Sequence, residues 1–145
     1  MMPNKILLVE DNDDDIELVE LALSSGLVAN ELDIVKDGAE ALDYLRCEGK
    51  YKPNSVDELP ALILLDLNLP KINGFEVLRE IRSNKRTNLI PVTIFTSSDQ
   101  EKDIVESYKL GANSYIQKPV DFEKFREAIQ HLGLYWLIYN KKPIK

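Results

Sequence analysis

The chain has 145 residues, the size of one ordinary domain, and its 44% apolar content is enough to build a hydrophobic core. A net charge of −7 argues against nucleic acid or an anionic membrane surface as a partner bound through a basic patch. One cysteine, Cys47, and one histidine exclude an internal disulfide and a Cys/His zinc site, Ile6 to Val9 is too short an apolar run for a signal peptide, and no run approaches a membrane span, so a reducing cytoplasm is the expected setting.

Lys5-Ile6-Leu7-Leu8-Val9 reads as a first buried strand, and Glu10 and Asp11 stand at its carboxyl end. Asp13 to Asp15 open a helix, because acidic groups favour the positive end of the helix dipole, and Ile16, Val19, Ala22 and Leu23 follow at helical spacing. Ser24-Ser25-Gly26 closes it. Leu32 to Val35 is a weaker strand, Asp37-Gly38 turns the chain, and Ala39 to Cys47 suits a second helix. Glu48 to Pro60 is polar, carries Gly and Pro, and reads as a long exposed loop of the kind that often binds something. Leu62-Ile63-Leu64-Leu65 is an apolar strand buried on both faces that runs directly into Asp66. Asn73-Gly74 marks a turn, Phe75 to Ile81 a third helix with Arg82 and Lys85 in its last turn, and Pro91 to Phe95 a fourth strand ended by Thr96. Gln100 to Lys109 is a polar helix, Ser114 to Gln117 a fifth strand ending at Lys118-Pro119, and Asp121 to Ile138 a long last helix. Strict alternation of strand and helix predicts a doubly wound α/β domain with a parallel sheet covered on both faces.

In a parallel sheet all carboxyl ends lie on one edge, where ligands bind. That edge receives Glu10 and Asp11 from strand one, Asp66 from strand three, Thr96 from strand four and Lys118 from strand five. Strands stand ~4.8 Å apart, so these side chains can meet. At ~4 Å and an effective dielectric near 20, each pair of like charges costs roughly 4 kcal/mol, so three carboxylates would ordinarily destabilise the fold or raise a pKa, and become reasonable if a hard cation binds there. Oxygen ligands alone suit Mg²⁺. A carboxylate such as Asp66 can act as a nucleophile and form an aspartyl phosphate, a transfer that needs charge neutralisation and positioning more than covalent help. Taken singly, the blander readings hold: Glu10 and Asp11 cap the first helix, or Lys118 forms an ordinary ion pair.

Leu7-Leu8-Val9-Glu10-Asp11, Leu65-Asp66-Leu67-Asn68-Leu69-Pro70 with Asn73-Gly74, Thr96-Ser97 and Lys118-Pro119, in that order, resemble the receiver domain of two-component response regulators, over roughly Lys5 to His131. The resemblance implies a flavodoxin-like (βα)5 fold with sheet order 2-1-3-4-5. It implies Asp66 as phosphoacceptor, Asp11 and Asp66 as Mg²⁺ ligands, Glu10 acting through metal-bound water and Asn68 offering its backbone carbonyl. Thr96 and Lys118 become the phosphate-sensing pair and Tyr115 the aromatic switch. The Lys118–Pro119 peptide is implied to be cis. A histidine kinase is the implied partner, and the protein itself a switch rather than an enzyme. Aspartyl-phosphate hydrolases usually place a second aspartate two residues past the nucleophile; Asn68 stands there and cannot exchange the proton. A receiver-shaped module that never takes up phosphate is the remaining rival.

Two features exceed a minimal receiver: the Glu48–Pro60 loop and the aromatic end from Leu132. Phe122, Phe125, Ile129, Leu132 and Trp136 form one stripe at core spacing. Leu134, Tyr135, Leu137 and Ile138 leave it, so Leu134, Tyr135, Trp136 and Leu137 are candidates for a homodimer interface. The few residues after Ile138 cannot fold into an output domain, which predicts signalling by protein contact. Loop and tail together are similar to those of the single-domain regulators that partner cyanobacterial phytochrome kinases; service to a non-phytochrome histidine kinase is the alternative. His131 reads as a surface residue of the last helix.

Overall fold

The structure, a computed structural model, describes residues 5–24, 30–51, 59–118 and 121–141. Its strands are β1 (Lys5–Val9), β2 (Glu31–Val35), β3 (Leu62–Leu65), β4 (Val92–Thr96) and β5 (Ser114–Gln117). They pair in parallel in the order β2-β1-β3-β4-β5, the expected flavodoxin-like order. The middle strands β1, β3 and β4 are almost wholly buried between two helical layers, β4 with Thr93 and Thr96 among its buried residues. At the edge, β2 carries Glu31 and Asp33 and is only partly buried, which is why its sequence signal is weak.

Five helices cover the sheet: α1 (Asp13–Ser24), α2 (Gly38–Arg46), α3 (Gly74–Ser83), α4 (Glu101–Lys109) and α5 (Phe122–Leu134). One face of the sheet, with Leu7, Val9, Ile63, Leu65, Val92 and Ile94, packs on Ala41, Leu42 and Leu45 of α2 and on Val77, Leu78 and Ile81 of α3. The other, with Ile6, Leu8, Leu62, Leu64 and Phe95, packs on Ile16, Val19 and Leu23 of α1 and on Phe125 and Ile129 of α5. The period of two along each strand divides the apolar residues between these layers. α4 stands apart, since its one buried residue is Ser107.

Side-chain caps set the starts of every helix but α4. Asn12 accepts from the Asp15 amide at 3.0 Å, so the cap of α1 is Asn12 and neither Glu10 nor Asp11. Asp37 caps α2 through the Glu40 amide at 2.7 Å. Asn73 caps α3 through the Glu76 amide at 3.1 Å; Asn73-Gly74, read as a turn, is the entry of that helix. Gly74 cannot be replaced freely, because a Cβ there would lie 2.3 Å from the Asp66 carbonyl oxygen. The α3 entry thus packs directly against the backbone of Asp66.

Three boundaries differ from expectation. Thr96 is the last residue of β4, and Lys85 lies beyond α3. The long last helix changes character: α5 gives way to a π-helical turn, Tyr135–Tyr139, closed by the Asn140 amide donating to the Tyr135 carbonyl at 2.6 Å. Such a turn is wider than an α turn, so it advances the register of the buried face. Phe125, Ile129, Gly133 and Leu137 are buried, while Leu132 and Trp136 only pack against that core. Leu137 is therefore corrected from interface candidate to core residue. Part of the expected loop is a 3-10 turn, Gly49–Tyr51, with Tyr51 set edge-on to Tyr44. The rest of that loop in 52–58, the Ser25-Gly26 close of α1 and the peptide to Pro119 lie outside the described residues. None of the described helices is long and apolar enough to cross a membrane.

Candidate functional site

Strand register brings the predicted residues to one place. Val9 pairs with Leu65, so Glu10 and Asp66 leave the sheet side by side. Their backbones extend the ladder by one step, Glu10 N–H donating to the Val35 carbonyl at 3.0 Å and Asp66 N–H to the Val9 carbonyl at 3.1 Å. Thr96 pairs with Gln117, and the Lys118 amide donates to the Thr96 carbonyl at 2.7 Å. By the alternation along each strand, Glu10 follows Ile6 and Leu8, and Asp66 follows Leu62 and Leu64, so both carboxylates face the α1/α5 side.

Lys118 closes the cluster. Its Nζ donates to Glu10 Oε1 at 2.6 Å, to Asp15 Oδ2 at 2.8 Å and to Asp66 Oδ2 at 3.3 Å. The ammonium also lies 4.8 Å from the Phe95 ring centroid, and that ring stacks on Phe125. A buried cation set among carboxylates and an aromatic face is held in one position. Burial disfavours its charged form, but the hydrogen bonds to Asp15 and Glu10 and the charge of Asp66 outweigh this and raise its pKa. Glu10 is fully buried, and burial, reinforced by the charge of Asp66, pushes its carboxyl up to about 7 despite the bond from Lys118.

Glu10, Asp11 and Asp66 offer three carboxylate oxygens within 4.8 Å of one another. Glu10 and Asp66 are buried and Asp11 is exposed, so the group opens to solvent on one side. Three hard oxygen donors could hold a divalent cation of the Mg²⁺ or Mn²⁺ kind.

Asn68 and Thr96 are joined to the site through each other. The Asn68 amide donates from its backbone to Asp66 Oδ1 at 3.2 Å, and its side-chain Nδ2 donates to Thr96 Oγ1 at 3.4 Å. Tyr115 does not reach the carboxylates. Its hydroxyl donates to the Ser98 carbonyl at 2.9 Å, and Ser98 Oγ donates to Asp103 Oδ2 at 2.6 Å. Tyr135, Trp136 and Leu134 lie in the C-terminal region, with Tyr135 half exposed and set edge-on to Trp136.

Sequence reasoning missed Asp15. The acidic run was assigned to the dipole of α1, which Asp13 and Asp14 serve. Yet Asp15 lies four residues before the fully buried Val19, on the same side of the helix. That spacing was the available signal that one acid of the three turns inward.

Residues 6–130 match the family model of the response regulator receiver domain. The chain belongs to that family. Among its curated relatives is the response regulator Rcp1 of Synechocystis sp., 40% identical over 135 residues, covering 93% of this chain and 90% of that protein. The probable methanogenesis regulatory protein FilR2 of Methanothrix harundinacea is 38% identical over 142 residues, covering 97% of this chain and 88% of its own length. Among solved receiver structures, that of the phosphorylated cyanobacterial phytochrome response regulator RcpA superposes with a TM-score of 0.89 at 43% identity, over 99% of this chain and 100% of the other. The Mn²⁺-bound form of Rcp1 gives 0.87 at 39% identity, over 98% and 100%. The receiver fold and its sheet order thus agree with what the motifs implied, and the likeness to phytochrome response regulators with what the loop and tail implied.

Proposed function

We propose that this receiver is a phosphoacceptor switch in which Asp66 takes a phosphoryl group from a histidine kinase. The observation that supports this reading is the Asp66 carboxylate, held at the end of a buried strand with Lys118 Nζ 3.3 Å away and Glu10 and Asp11 beside it. In the transfer, an Asp66 oxygen bonds to phosphorus as the P–N bond of the donor phosphohistidine breaks, and the released imidazole keeps the electron pair and takes up a proton. Glu10, Asp11, Asp66 and the backbone carbonyl of Asn68 are the residues that would hold Mg²⁺. When bound, that ion neutralises charge on the phosphoryl oxygens.

The chain's own part is to position and to respond. Lys118 supplies an ammonium to one phosphoryl oxygen, and Thr96 a hydroxyl to another. Drawing Thr96 toward Asp66 pulls on the end of β4, and through Ser98 on Tyr115 and α4. A local change of charge becomes a change of surface. Asn68, which takes the place of an acid–base aspartate, leaves the protein a switch and no phosphomonoesterase.

The kinase we favour is a phytochrome, on the likeness to Rcp1 and RcpA along nearly the whole chain. FilR2, described as a probable methanogenesis regulatory protein and of comparable similarity, favours the second reading, a kinase outside light signalling. Phosphotransfer from a purified phytochrome kinase and from unrelated kinases separates the two: preferred transfer from the phytochrome supports the first, its absence the second. The phosphoacceptor reading itself is tested by intact mass after incubation with Mg²⁺ and acetyl phosphate. One phosphate adduct is expected in wild type and none in Asp66→Asn.

A further inference from the structure

Lys118 has more acceptors than the switch needs. An ammonium has three protons, and in this structure all three are engaged, by Glu10, Asp15 and Asp66. The longest of these bonds, 3.3 Å, is the one to Asp66. A phosphoryl oxygen on Asp66 can take the place of the Asp66 carboxylate oxygen, and movement of Lys118 toward it stretches the bonds to the other two partners.

The two remaining partners differ in what their loss costs. The Glu10 side chain is 1% exposed and that of Asp15 is 27% exposed. Solvent does not reach the buried Glu10 carboxylate to replace the ammonium, whereas water can take over at Asp15. Asp15 is also held on an element of its own, the first turn of α1, where its amide is fixed by the Asn12 cap at 3.0 Å. It thus pulls Lys118 toward α1 from a set position.

We propose that Asp15 is a positioning residue that holds Lys118 back from Asp66 in the resting protein and is the acceptor the ammonium gives up on phosphorylation. It acts as a brake on formation of the phosphoryl adduct and as a competitor that shortens its life. The inference rests on the reading of Asp66 as phosphoacceptor.

The test uses the full chain with excess Mg²⁺ and acetyl phosphate, following the adduct by intact mass as it forms and, after removal of the donor, as it decays. Asp15→Asn forms the adduct several-fold faster, up to about tenfold, the scale of one charge-assisted hydrogen bond released, and loses it more slowly. Asp15→Glu, which restores a carboxylate within reach of Lys118, returns both rates toward wild type. Asp14→Asn removes the same charge from the exposed neighbouring residue and leaves both rates unchanged. Thermal melts of the variants establish that each is folded. Wild-type rates in Asp15→Asn overturn the proposal, and so does equal acceleration in Asp14→Asn, which would assign the effect to overall charge. Failure of the wild type itself to form an adduct overturns the phosphoacceptor reading, and this proposal with it.

Discussion

Glu10 carries the clearest electrostatic consequence of the site. Its carboxyl ionises near 4.5 in an unfolded chain and is pushed up to about 7 by burial, with the Asp66 charge adding to the effect. Between those values the folded state binds a proton that the unfolded state has released. Stability from this group therefore falls as pH rises from about 4.5 to about 7, and the loss is complete above that range. Lys118 adds no slope in this window, because its raised pKa places its own loss of stability above 10.5. Without divalent ions, Glu10→Gln is expected to be more stable than wild type by on the order of 1–2 kcal/mol at pH 8 and to differ little at pH 5. Urea titrations at the two pH values check this; an identical difference at both would contradict it. Protons and a cation compete for the same carboxylates, so divalent affinity should also weaken as pH falls below about 7. At this scale most of the site was legible, because Glu10 and Asp66 directly follow apolar runs and Asp11 and Lys118 stand at the ends of predicted strands. Asp15 is masked by the acidic run it belongs to, and only its spacing to Val19 distinguishes it from Asp13 and Asp14.

Elements differ in how firmly they are tied to the sheet. α1, α2, α3 and α5 each bury an apolar stripe, whereas α4 buries Ser107 alone, whose hydroxyl donates to the Asp103 carbonyl at 2.7 Å. Its attachment runs through polar contacts at its start, from Tyr115 to Ser98 and from Ser98 to Asp103. An element held this way opens at low free energy and suits a moving part. Asp103→Ala should raise amide hydrogen exchange in α4 about tenfold, the effect of losing one hydrogen bond of ~1–1.5 kcal/mol, while exchange in β1 and β3 stays unchanged. No change in α4 would show that the Ser98–Asp103 contact does not hold it. The polar character of this helix was readable from Gln100 to Lys109, and so was its thin packing. The π turn was not readable. Residues 134–139 are Leu, Tyr, Trp, Leu, Ile and Tyr, and a segment apolar at every position has no period from which to infer which side turns inward.

Among the described residues, exposed apolar side chains are scattered at Leu21, Leu89, Val105 and Tyr108 and gathered in sequence at that π turn. With Leu137 drawn into the core, the exposed residues there are Tyr135, Ile138 and Tyr139, the last 71% exposed. Enrichment in tyrosine and an aliphatic neighbour fits an interface, and the partner we infer is a second copy of this chain. Sedimentation of wild type against Ile138→Ser and Tyr139→Ser should show dimer lost in the variants with the melting temperature little changed. A monomer throughout would refute self-association, and Leu137→Ala would be uninformative because it opens a core cavity. The architecture was legible because strand and helix alternate strictly and each buried strand is one apolar run. The central claim, that the cluster at the sheet edge exists to take up phosphate on Asp66, is tested most directly by intact mass with Mg²⁺ and acetyl phosphate. The account predicts a single phosphate adduct in wild type that is absent in Asp66→Asn; an unmodified wild type, or an adduct that persists in Asp66→Asn, would contradict it.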